Sequence, residues 1–340
     1  MQLKAARTWG MEWLVLCYFL SYLPNVVLTR AATTTTRAPA LRPPSGLEVL
    51  PASLILNLLL TLAFVYAFGW QRDAHGVRVG AMRLPAPTRY TLLSGIGTAF
   101  ILFTVPLSLT FRDVSIPFIQ LLMRGDILLV APLVDLLFRR RVRWWSWAAL
   151  ALVCVALALV VRQRGGFHLP PLAWITVVLY TVGYFIRLSV MTGVGKRGDP
   201  AQLRRYFVEE KMVALPLAVL CLAILSAAGL GQQAGELEWG FVRVWSEPVL
   251  WPIIGIAVTL TVISVFAIMI LMDARENTYC VPLERASSLL AGIAGAWLLH
   301  WGWQLTAPTS IEMLGAALLV AAIVLLSVAP RFAPRGGVSA

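Results

Sequence analysis

The sequence predicts an all-α integral membrane protein with ten transmembrane helices. Of its 340 residues, 59% are hydrophobic and 13% are charged, whereas soluble domains carry roughly 25% charged residues. The apolar residues also cluster into ten runs that approach or exceed the roughly 20 residues a helix needs to cross a bilayer. The predicted spans are residues 11–28, 50–70, 90–109, 114–138, 144–161, 172–194, 207–230, 249–272, 278–300 and 311–328.

The basic residues predict how the chain is oriented. The formal net charge is +12, but the Lys and Arg residues fall mostly between apolar runs and form no continuous basic face, so nucleic-acid binding is not expected. The positive-inside rule places residues 139–143, RRRVR, in the cytoplasm together with both chain termini. Trp144 and Trp145 follow this cluster and are expected to contact membrane lipids. We therefore expect a multi-pass protein of a bacterial cytoplasmic (inner) membrane.

The first apolar run has an alternative interpretation. Lys4 and Arg7 precede it and small residues follow it, which is the pattern of a cleaved signal peptide. The run is longer than a typical signal core, and this favours a transmembrane span. Residues 30–46, RAATTTTRAPALRPPSG, are rich in Thr and Pro and are expected to form a flexible external loop.

The ten spans divide into two sets of five, residues 11–161 and residues 172–328. Because five is odd, the second set must enter the membrane in the opposite orientation to the first, and two related halves would then form an inverted repeat. Residues 121–137 and 282–298 align without a gap, and this alignment places Arg124 on Arg285. The sequence therefore predicts two inverted five-helix repeats.

Three segments resemble a known family of transporters. They are PLVDLLFRRRVRWWSWAALALV, PLERASSLLAGIAGAWLLHWGW and IEMLGAALLVAAIVLL, at residues 132–153, 282–303 and 311–326. In these segments the chain resembles the EamA-type proteins of the drug/metabolite transporter superfamily. The resemblance implies that helices one to four and six to nine surround a central cavity, and that groups of helices rock to give alternating access. The chain departs from the family pattern after the fourth and ninth helices, where residues 139–141 and 301–310 replace an acidic turn.

Arg124 and Arg285 are the main candidates for binding a substrate. A charge inside the membrane is costly unless it faces water or a partner, so such residues are functional candidates. Arg124 lies near the middle of its span with Gln120 on the same helical stripe, and Ser288 shares the stripe of Arg285. Two guanidinium groups that meet in one cavity would bind a carboxylate or phosphate through paired donors.

Acidic residues near these arginines allow a second interpretation. Asp126 and Glu284 could exchange protons during transport as coupling groups. Alternatively, Arg124 pairs with Glu284 or another acid and Arg285 pairs with Asp126, as fixed structural ion pairs. The sequence alone is compatible with both.

Arg187, Lys211 and Trp297 are possible cavity residues. For Arg187 and Lys211 the alternative is that the long side chain extends to the membrane surface, and for Trp297 it is an interfacial aromatic belt. The four cysteines and three histidines have no metal-ligand spacing, so neither a metal nor a cofactor is expected. No Walker motif is present, so ATP is not an expected energy source.

These patterns favour a secondary transporter, and not an enzyme, that moves a small organic solute across the membrane by alternating access. An anionic or zwitterionic solute is favoured, because the mid-membrane charge is basic in both halves. The alternatives are a membrane-embedded enzyme acting on a lipid or lipid-linked substrate, and a membrane interaction protein without transport activity. The identity of the solute, the direction of transport, the coupling ion and the oligomeric state are left open.

Overall fold

The computed structural model describes residues 10–34, 42–79, 82–108, 144–163, 170–194, 199–229, 231–273 and 277–332, together with residues 111, 114, 118, 119, 122 and 123. These residues form α-helices, two short 3-10 helices and one β-hairpin. The helices are α1 (Met11–Thr34), α2 (Gly46–Ala67), α3 (Arg89–Ser108), α4 (Trp144–Gln163), α5 (Pro171–Val194), α6 (Pro200–Ala227), α7 (Gly231–Val242), α8 (Leu250–Leu271), α9 (Asn277–Trp303) and α10 (Ser310–Phe332). The 3-10 helices are Trp70–Arg72 and Val244–Ser246, and the strands are β1 (Gly76–Val79) and β2 (Met82–Pro85).

The distribution of apolar and charged side chains matches that of a membrane protein. Within the described part of the chain, six helices are long and apolar enough to cross a membrane, namely α1, α2, α3, α5, α6 and α8. Large apolar side chains face outward, including Trp251 at 75% and Trp13 at 61% exposed, whereas Arg285 is 2% exposed. Soluble monomers rarely expose so much contiguous apolar surface. The helical membrane fold is therefore confirmed at this level, and the bundle is compatible with a multi-pass protein.

All of the predicted spans except the fourth coincide with described helices. Residues 114–138 lie outside the described residues apart from isolated positions, so the fourth span and the ten-helix count stay predictions. Helix α1 continues to Thr34, which extends it into the segment expected to form the external loop. The hairpin and the short helix α7 lie in connections where the sequence predicted no regular structure.

Capping residues explain where two of the helices begin. The Ser45 hydroxyl accepts a hydrogen bond from the Glu48 backbone N–H at 3.2 Å, and the Ser45 N–H donates to the Glu48 carboxylate at 2.7 Å. This reciprocal capping box starts α2. At α6, the Asp199 carboxylate accepts from the Ala201 N–H at 3.0 Å and Pro200 occupies the first helical position. Both features favour helix initiation, so α6 begins at Pro200, two turns before the predicted start of the seventh span.

Helices α3, α5 and α6 form one closely packed group. Helix α3 crosses α5 at Gly97 and Gly183, where a Cβ atom added to Gly97 would lie 2.7 Å from the Gly183 carbonyl oxygen. A separation below 3.0 Å cannot be accommodated against backbone, so both positions need glycine for the helices to approach this closely. Helix α3 runs parallel to α6, because Thr91 contacts Glu209 and Gly95 lies against Val213 further along both helices.

Helices α1, α8 and α9 form a second group. Helix α1 is antiparallel to α8, since Leu28 meets Gly255 whereas the earlier Asn25 donates to the later Thr259 at 2.8 Å. It is parallel to α9, because Tyr18 contacts Glu284 and Val26 lies against Gly295. Helix α2 contacts both groups, and α4 packs against α10.

The β-hairpin connects α2 and α3. Its strands pair antiparallel, with Gly76 opposite Pro85 and Val79 opposite Met82. Next to the hairpin, Arg204 at the start of α6 forms an ion pair with Asp73, and Arg205 donates to the Asp73 carbonyl oxygen at 3.0 Å. These contacts hold the loop between α2 and α3 against the start of α6.

Candidate functional site

Two arginine and glutamate pairs are buried inside the bundle. The Arg285 site consists of Tyr18, Tyr180, Tyr184, Glu284 and Arg285, and it joins α1, α5 and α9. The Arg187 site consists of Ser94, Thr98, Arg187, Tyr206 and Glu210, and it joins α3, α5 and α6. Helix α5 contributes to both sites. The two sites differ in how completely their polar atoms are hydrogen-bonded.

Two tyrosines from α5 surround the Arg285 guanidinium group. The Arg285 Nη1 donates to the Tyr180 hydroxyl at 2.6 Å. The Arg285 Cζ lies 3.9 Å from the centroid of the Tyr184 ring and 5.8 Å from that of Tyr180. A guanidinium within about 6 Å of an aromatic face is stabilised by a cation–π interaction, which strengthens when water is excluded. Burial and these contacts hold the guanidinium plane in one orientation.

The Glu284 carboxylate neutralises Arg285 and is itself held by tyrosine hydroxyls. Its Oε1 accepts a hydrogen bond from the Tyr18 hydroxyl at 2.6 Å, and its Oε2 accepts a long one from the Tyr184 hydroxyl at 3.5 Å. The same Oε2 lies 2.9 Å from the Arg285 Nε, and the two side chains are only 5% and 2% exposed. The pair joins neighbouring residues of α9, whose side chains do not face each other in a helix, so the contacts from Tyr18 and Tyr184 help to set its position.

One edge of the Arg285 guanidinium remains open. Neither Nε nor Nη2 of Arg285 has a hydrogen-bond partner within the described part of the chain, although both atoms are buried. The Nε to Oε2 distance of 2.9 Å is short enough for an ion pair, but the N–H does not point at the oxygen, so the contact is one of charge only. Nε and Nη2 form the side-on edge with which arginine binds a carboxylate or phosphate through two parallel hydrogen bonds. Buried donors without acceptors are costly, so this edge is a candidate ligand-binding position.

Paired tyrosines on two helices build the walls of the Arg285 site. Tyr18 and Tyr22 are four residues apart on α1, and Tyr180 and Tyr184 are four residues apart on α5. Residues at this spacing lie on the same helical face, one turn apart. The ring centroids are separated by 5.7 Å in both pairs. Each pair therefore presents an aromatic face with hydroxyl groups to the interior.

In the Arg187 site, both donors of the side-on edge of the arginine, Nε and Nη2, have hydrogen-bond partners. The Arg187 Nε and Nη2 donate to the two carboxylate oxygens of Glu210 at 2.9 and 3.1 Å. Glu210 also accepts from Ser94 and Thr98 at 2.8 Å each and from Tyr206 at 3.2 Å. The side-on edge of Arg187 is thus occupied by a protein carboxylate, which favours a structural role.

Lys211 and Glu209 extend the polar interior around α6. Lys211 is 3% exposed and its Nζ lies 5.8 Å from the centroid of the Phe207 ring. Glu209 accepts from the His75 ring and backbone at 2.7 and 3.0 Å and from Thr91 at 2.9 Å. Because α6 begins at Pro200, these residues are buried within the bundle and do not lie at the start of a span. The Lys211 side chain is therefore enclosed by other helices of the bundle.

The structure describes only some of the predicted site residues. Arg285 and Glu284 lie together at the centre of the Arg285 site, and Arg187 is paired with Glu210. The Ser288 hydroxyl is buried and donates to the Arg285 carbonyl oxygen at 3.0 Å, within the same helix. Trp297 is partly buried and its ring lies 5.8 Å from that of Trp301. Three predicted residues lie outside the described residues: Gln120, Arg124 and Asp126.

Sequence reasoning missed the three tyrosines of the Arg285 site and the partners of Arg187. The Tyr-x-x-x-Tyr spacing occurs in both α1 and α5, and this repeat was the one available signal. Aromatic residues are common in transmembrane helices, so the spacing alone does not indicate a site. The pairing of Arg187 with Glu210 joins residues from neighbouring helices, and a sequence pattern does not reveal which residue faces which.

A polar cleft of about 460 Å³ lies between the start of α2 and α7. Arg42 forms an ion pair with the buried Glu48, and the Ser45 hydroxyl donates to Glu236 at 2.6 Å. The hydrogen bond and charge of Glu48 raise the pKa of Arg42 above its ordinary value. The Glu48 and Glu236 carboxylates are thus already engaged, in contrast to the open donors of Arg285.

Comparison with known proteins identifies a fold and no family. No protein-family model and no curated protein matches the chain. Chains of solved structures do match it, among them one titled "Crystal structure of protein", with a TM-score of 0.57 at 17% sequence identity. That match covers 94% of this chain and 98% of the other. At this identity the likeness shows a shared fold over nearly the whole of both chains and nothing about activity.

Proposed function

We propose that the protein is a secondary transporter that moves a small anionic or zwitterionic organic solute across the membrane by alternating access. The observation that carries the proposal is the open side-on edge of Arg285, a buried cation with unused donors inside a bundle of apolar helices. In a membrane interior such a residue is retained where it binds or conducts something. The solute would place a carboxylate or phosphate on Nε and Nη2.

We further propose the architecture of an EamA-type member of the drug/metabolite transporter superfamily, with ten spans in two inverted repeats. Support comes from the first helix of each predicted half. On α1, the planes of the Tyr18 and Tyr22 rings are inclined to each other by 37°. On α5, the planes of the Tyr180 and Tyr184 rings are inclined to each other by 36°, and the ring centroids are equally far apart in both pairs. Two halves that descend from one unit would repeat such a pair in the same helix.

The separation of the helices into two groups is compatible with alternating access. Helices α5 and α9 are not among the closely packed helix pairs of the described residues. Contacts between them include the long side chains of Tyr180, Tyr184, Glu284 and Arg285. Apolar side chains of both groups also share one core cluster, so α5 and α9 meet through side chains and not through closely approaching backbones, and such a contact can shift with less disruption. A solute bound at Arg285 would lie at this boundary.

With both termini in the cytoplasm of a bacterium, the protein would span its inner membrane.

Counterflow in proteoliposomes tests the proposal. The probes are labelled D-gluconate, glycerol 3-phosphate and L-alanine, which represent a carboxylate, a phosphate monoester and a zwitterion. We expect the wild-type protein to exchange at least one probe, and Arg285→Gln to lower the exchange rate at least about tenfold, since one bidentate interaction is worth more than 1.4 kcal/mol.

The matched control is Arg243→Gln, the same substitution at an exposed arginine, which should leave exchange unchanged. Thermal unfolding in detergent establishes that each variant is folded. Equal exchange by Arg285→Gln and the wild type, or no exchange of any probe by the wild type, would contradict the proposed function.

A further inference from the structure

We propose that Glu284 carries a proton whenever an anionic solute occupies Arg285, so that the protein couples the transport of a monovalent anion to the transport of one proton. This inference rests on the proposed function and assigns its coupling ion. The observation behind it is that the Glu284 Oε2 lies 2.9 Å from the Arg285 Nε without a hydrogen bond to it, and that neither Nε nor Nη2 has a hydrogen-bond partner among the described residues. A solute oxygen bonded to these donors would therefore lie next to the Glu284 carboxylate.

The charge balance of the site requires a proton once the anion is bound. Without solute, Arg285 carries one positive charge and Glu284 one negative charge, and both are buried. A monovalent anion on Nε and Nη2 would leave the site with a net negative charge. An unneutralised charge in a dry interior costs several kcal/mol. Protonation of Glu284 restores neutrality, so the anion and the proton favour each other's binding.

The position of the proton follows from the contacts of Glu284. Its Oε1 accepts from the Tyr18 hydroxyl at 2.6 Å, whereas its Oε2 has the longer contact to the Tyr184 hydroxyl at 3.5 Å. When Oε2 is protonated, its O–H group can donate a hydrogen bond to an oxygen of the solute anion held by the adjacent Arg285. The proton itself stays on Glu284. The proton comes from water on the side from which the solute enters, so one O–H bond forms at Glu284 and one O–H bond breaks in a hydronium ion. Release of the solute anion returns Glu284 to the ion pair and frees the proton on the same side.

The described titratable groups that contact Glu284 lie on α1, α5 and α9, whereas the buried Lys211 lies next to Glu210 on α6. The groups facing Glu284 and its partner are Arg285 on α9, Tyr18 on α1, and Tyr180 and Tyr184 on α5. Helix α8 carries no titratable side chain. On α10, Glu312 lies in the first turn, next to the end of α9 that is far from Glu284. The nearby Arg187 site is neutral within itself, because Glu210 binds both Nε and Nη2 of Arg187.

The test measures anion and proton movement together in wild-type proteoliposomes. The probes are D-gluconate and glycerol 3-phosphate, added outside vesicles that contain a pH-sensitive dye. We expect uptake of an exchanged probe to acidify the lumen. For D-gluconate, a monoanion, we expect an acidic exterior to raise the final inside-to-outside ratio by about tenfold per unit of pH difference, as one proton per anion requires. An imposed membrane potential should not change the accumulation of D-gluconate, because a monoanion and one proton carry no net charge together.

Glu284→Gln provides the second measurement. This variant keeps the shape of the side chain but cannot release a proton, so we expect it to exchange probe across the membrane while losing accumulation driven by the pH gradient. Glu284→Asp should retain that accumulation.

The outcomes separate the two proposals. Exchange in the wild type without acidification of the lumen overturns proton coupling alone, and so does gradient-driven accumulation by Glu284→Gln. Absence of exchange of both anions in the wild type overturns the proposed anion site and with it the coupling. Because the first measurement uses the wild-type protein, it decides the question even if Glu284→Gln fails to fold.

Discussion

The Arg187 and Arg285 sites place the same chemical pair in two different situations. In both, an arginine and a glutamate are buried in the bundle, and helix α5 contributes to each. Glu210 fills the side-on edge of Arg187 through two hydrogen bonds and accepts three more from hydroxyl groups. Glu284 lies 2.9 Å from the Nε of Arg285, but neither Nε nor Nη2 has a hydrogen-bond partner among the described residues.

The difference shows that the presence of a buried ion pair does not by itself distinguish structure from function. A buried pair is maintained at a high desolvation cost, which is offset only when further hydrogen bonds satisfy the remaining donors and acceptors. The Arg187 site meets this condition, and it fixes α5 against α3 and α6. The Arg285 site does not meet it within the described residues, and the donors that remain are those with which arginine binds anions. The distribution of hydrogen bonds, more than charge, therefore identifies the candidate site.

The largest expected effect comes from neutralising the acid of each pair. Glu210→Gln and Glu284→Gln should each destabilise the protein by about 3–5 kcal/mol, because each leaves a buried arginine without its counter-charge. Only Glu284→Gln should be rescued by an anion. Saturating D-gluconate or glycerol 3-phosphate at 100 times its dissociation constant should restore about 2.7 kcal/mol. Thermal unfolding in detergent with and without each anion measures both effects.

Rescue of both variants to the same extent would contradict this contrast, since the edge of Arg187 would then also be open. The chloride salt at equal ionic strength controls for general effects of salt.

Conservative replacement of each arginine should give a smaller and more specific difference. Lysine keeps the charge but cannot provide two parallel donors. Arg187→Lys should lower stability by about 1–3 kcal/mol, because Glu210 loses its bidentate partner. Arg285→Lys should change stability less and instead weaken binding of the exchanged probe by about tenfold. Unfolding curves and ligand-induced thermal shifts of the same samples separate the two responses. A stability loss at Arg285→Lys that equals that at Arg187→Lys would show that the Arg285 site is structural as well.

Removal of single tyrosine hydroxyls should give the smallest difference. Tyr206→Phe also removes the contact between the Tyr206 and Ser94 hydroxyls, but it leaves Glu210 with its bonds to Arg187, Ser94 and Thr98, so its cost should stay within the 0.5–1.5 kcal/mol typical of one hydrogen bond. Tyr18→Phe removes the one short hydrogen bond that Glu284 receives from a described hydroxyl, so its cost should lie near the upper end. Tyr18→Phe should also slow probe exchange in proteoliposomes, whereas Tyr206→Phe should not. The reverse order of effects on exchange would assign the transported solute to the Arg187 site.

Part of this arrangement could be predicted from the sequence. The helical membrane fold follows from the length of the apolar runs, and Arg285 and Glu284 stand out because charge inside an apolar span is rare. The ion pair between them was not among the predicted alternatives, which paired Arg285 with Asp126 and Arg124 with Glu284 or another acid. The start of α6 was placed too late because residues 200–206 contain charged and polar side chains, while Asp199 and Pro200 provide initiation signals that outweigh them. As a result, Lys211 was placed near the start of a span, where its side chain could have extended to the membrane surface, although it is buried in the bundle.

Other features depend on contacts that a single sequence does not contain. The tyrosine pair Tyr180 and Tyr184 becomes meaningful only because α5 faces Arg285 across the bundle. Helix α7 is short and carries glutamates, so no apolar run identified it. The anion-binding pair of Arg124 and Arg285 stays a prediction, since Arg124 lies outside the described residues.

The crossing of α3 and α5 at Gly97 and Gly183 has a mechanical consequence. Because neither position can hold a side chain larger than hydrogen without displacing the opposing backbone, α5 cannot slide or rotate freely against α3. Tyr180 and Tyr184 lie within one turn of Gly183 and are therefore carried on a stationary wall. In the proposed transport cycle, α1 and α9 would then be the helices that move, and the joined α3 and α5 would be the part that stays fixed.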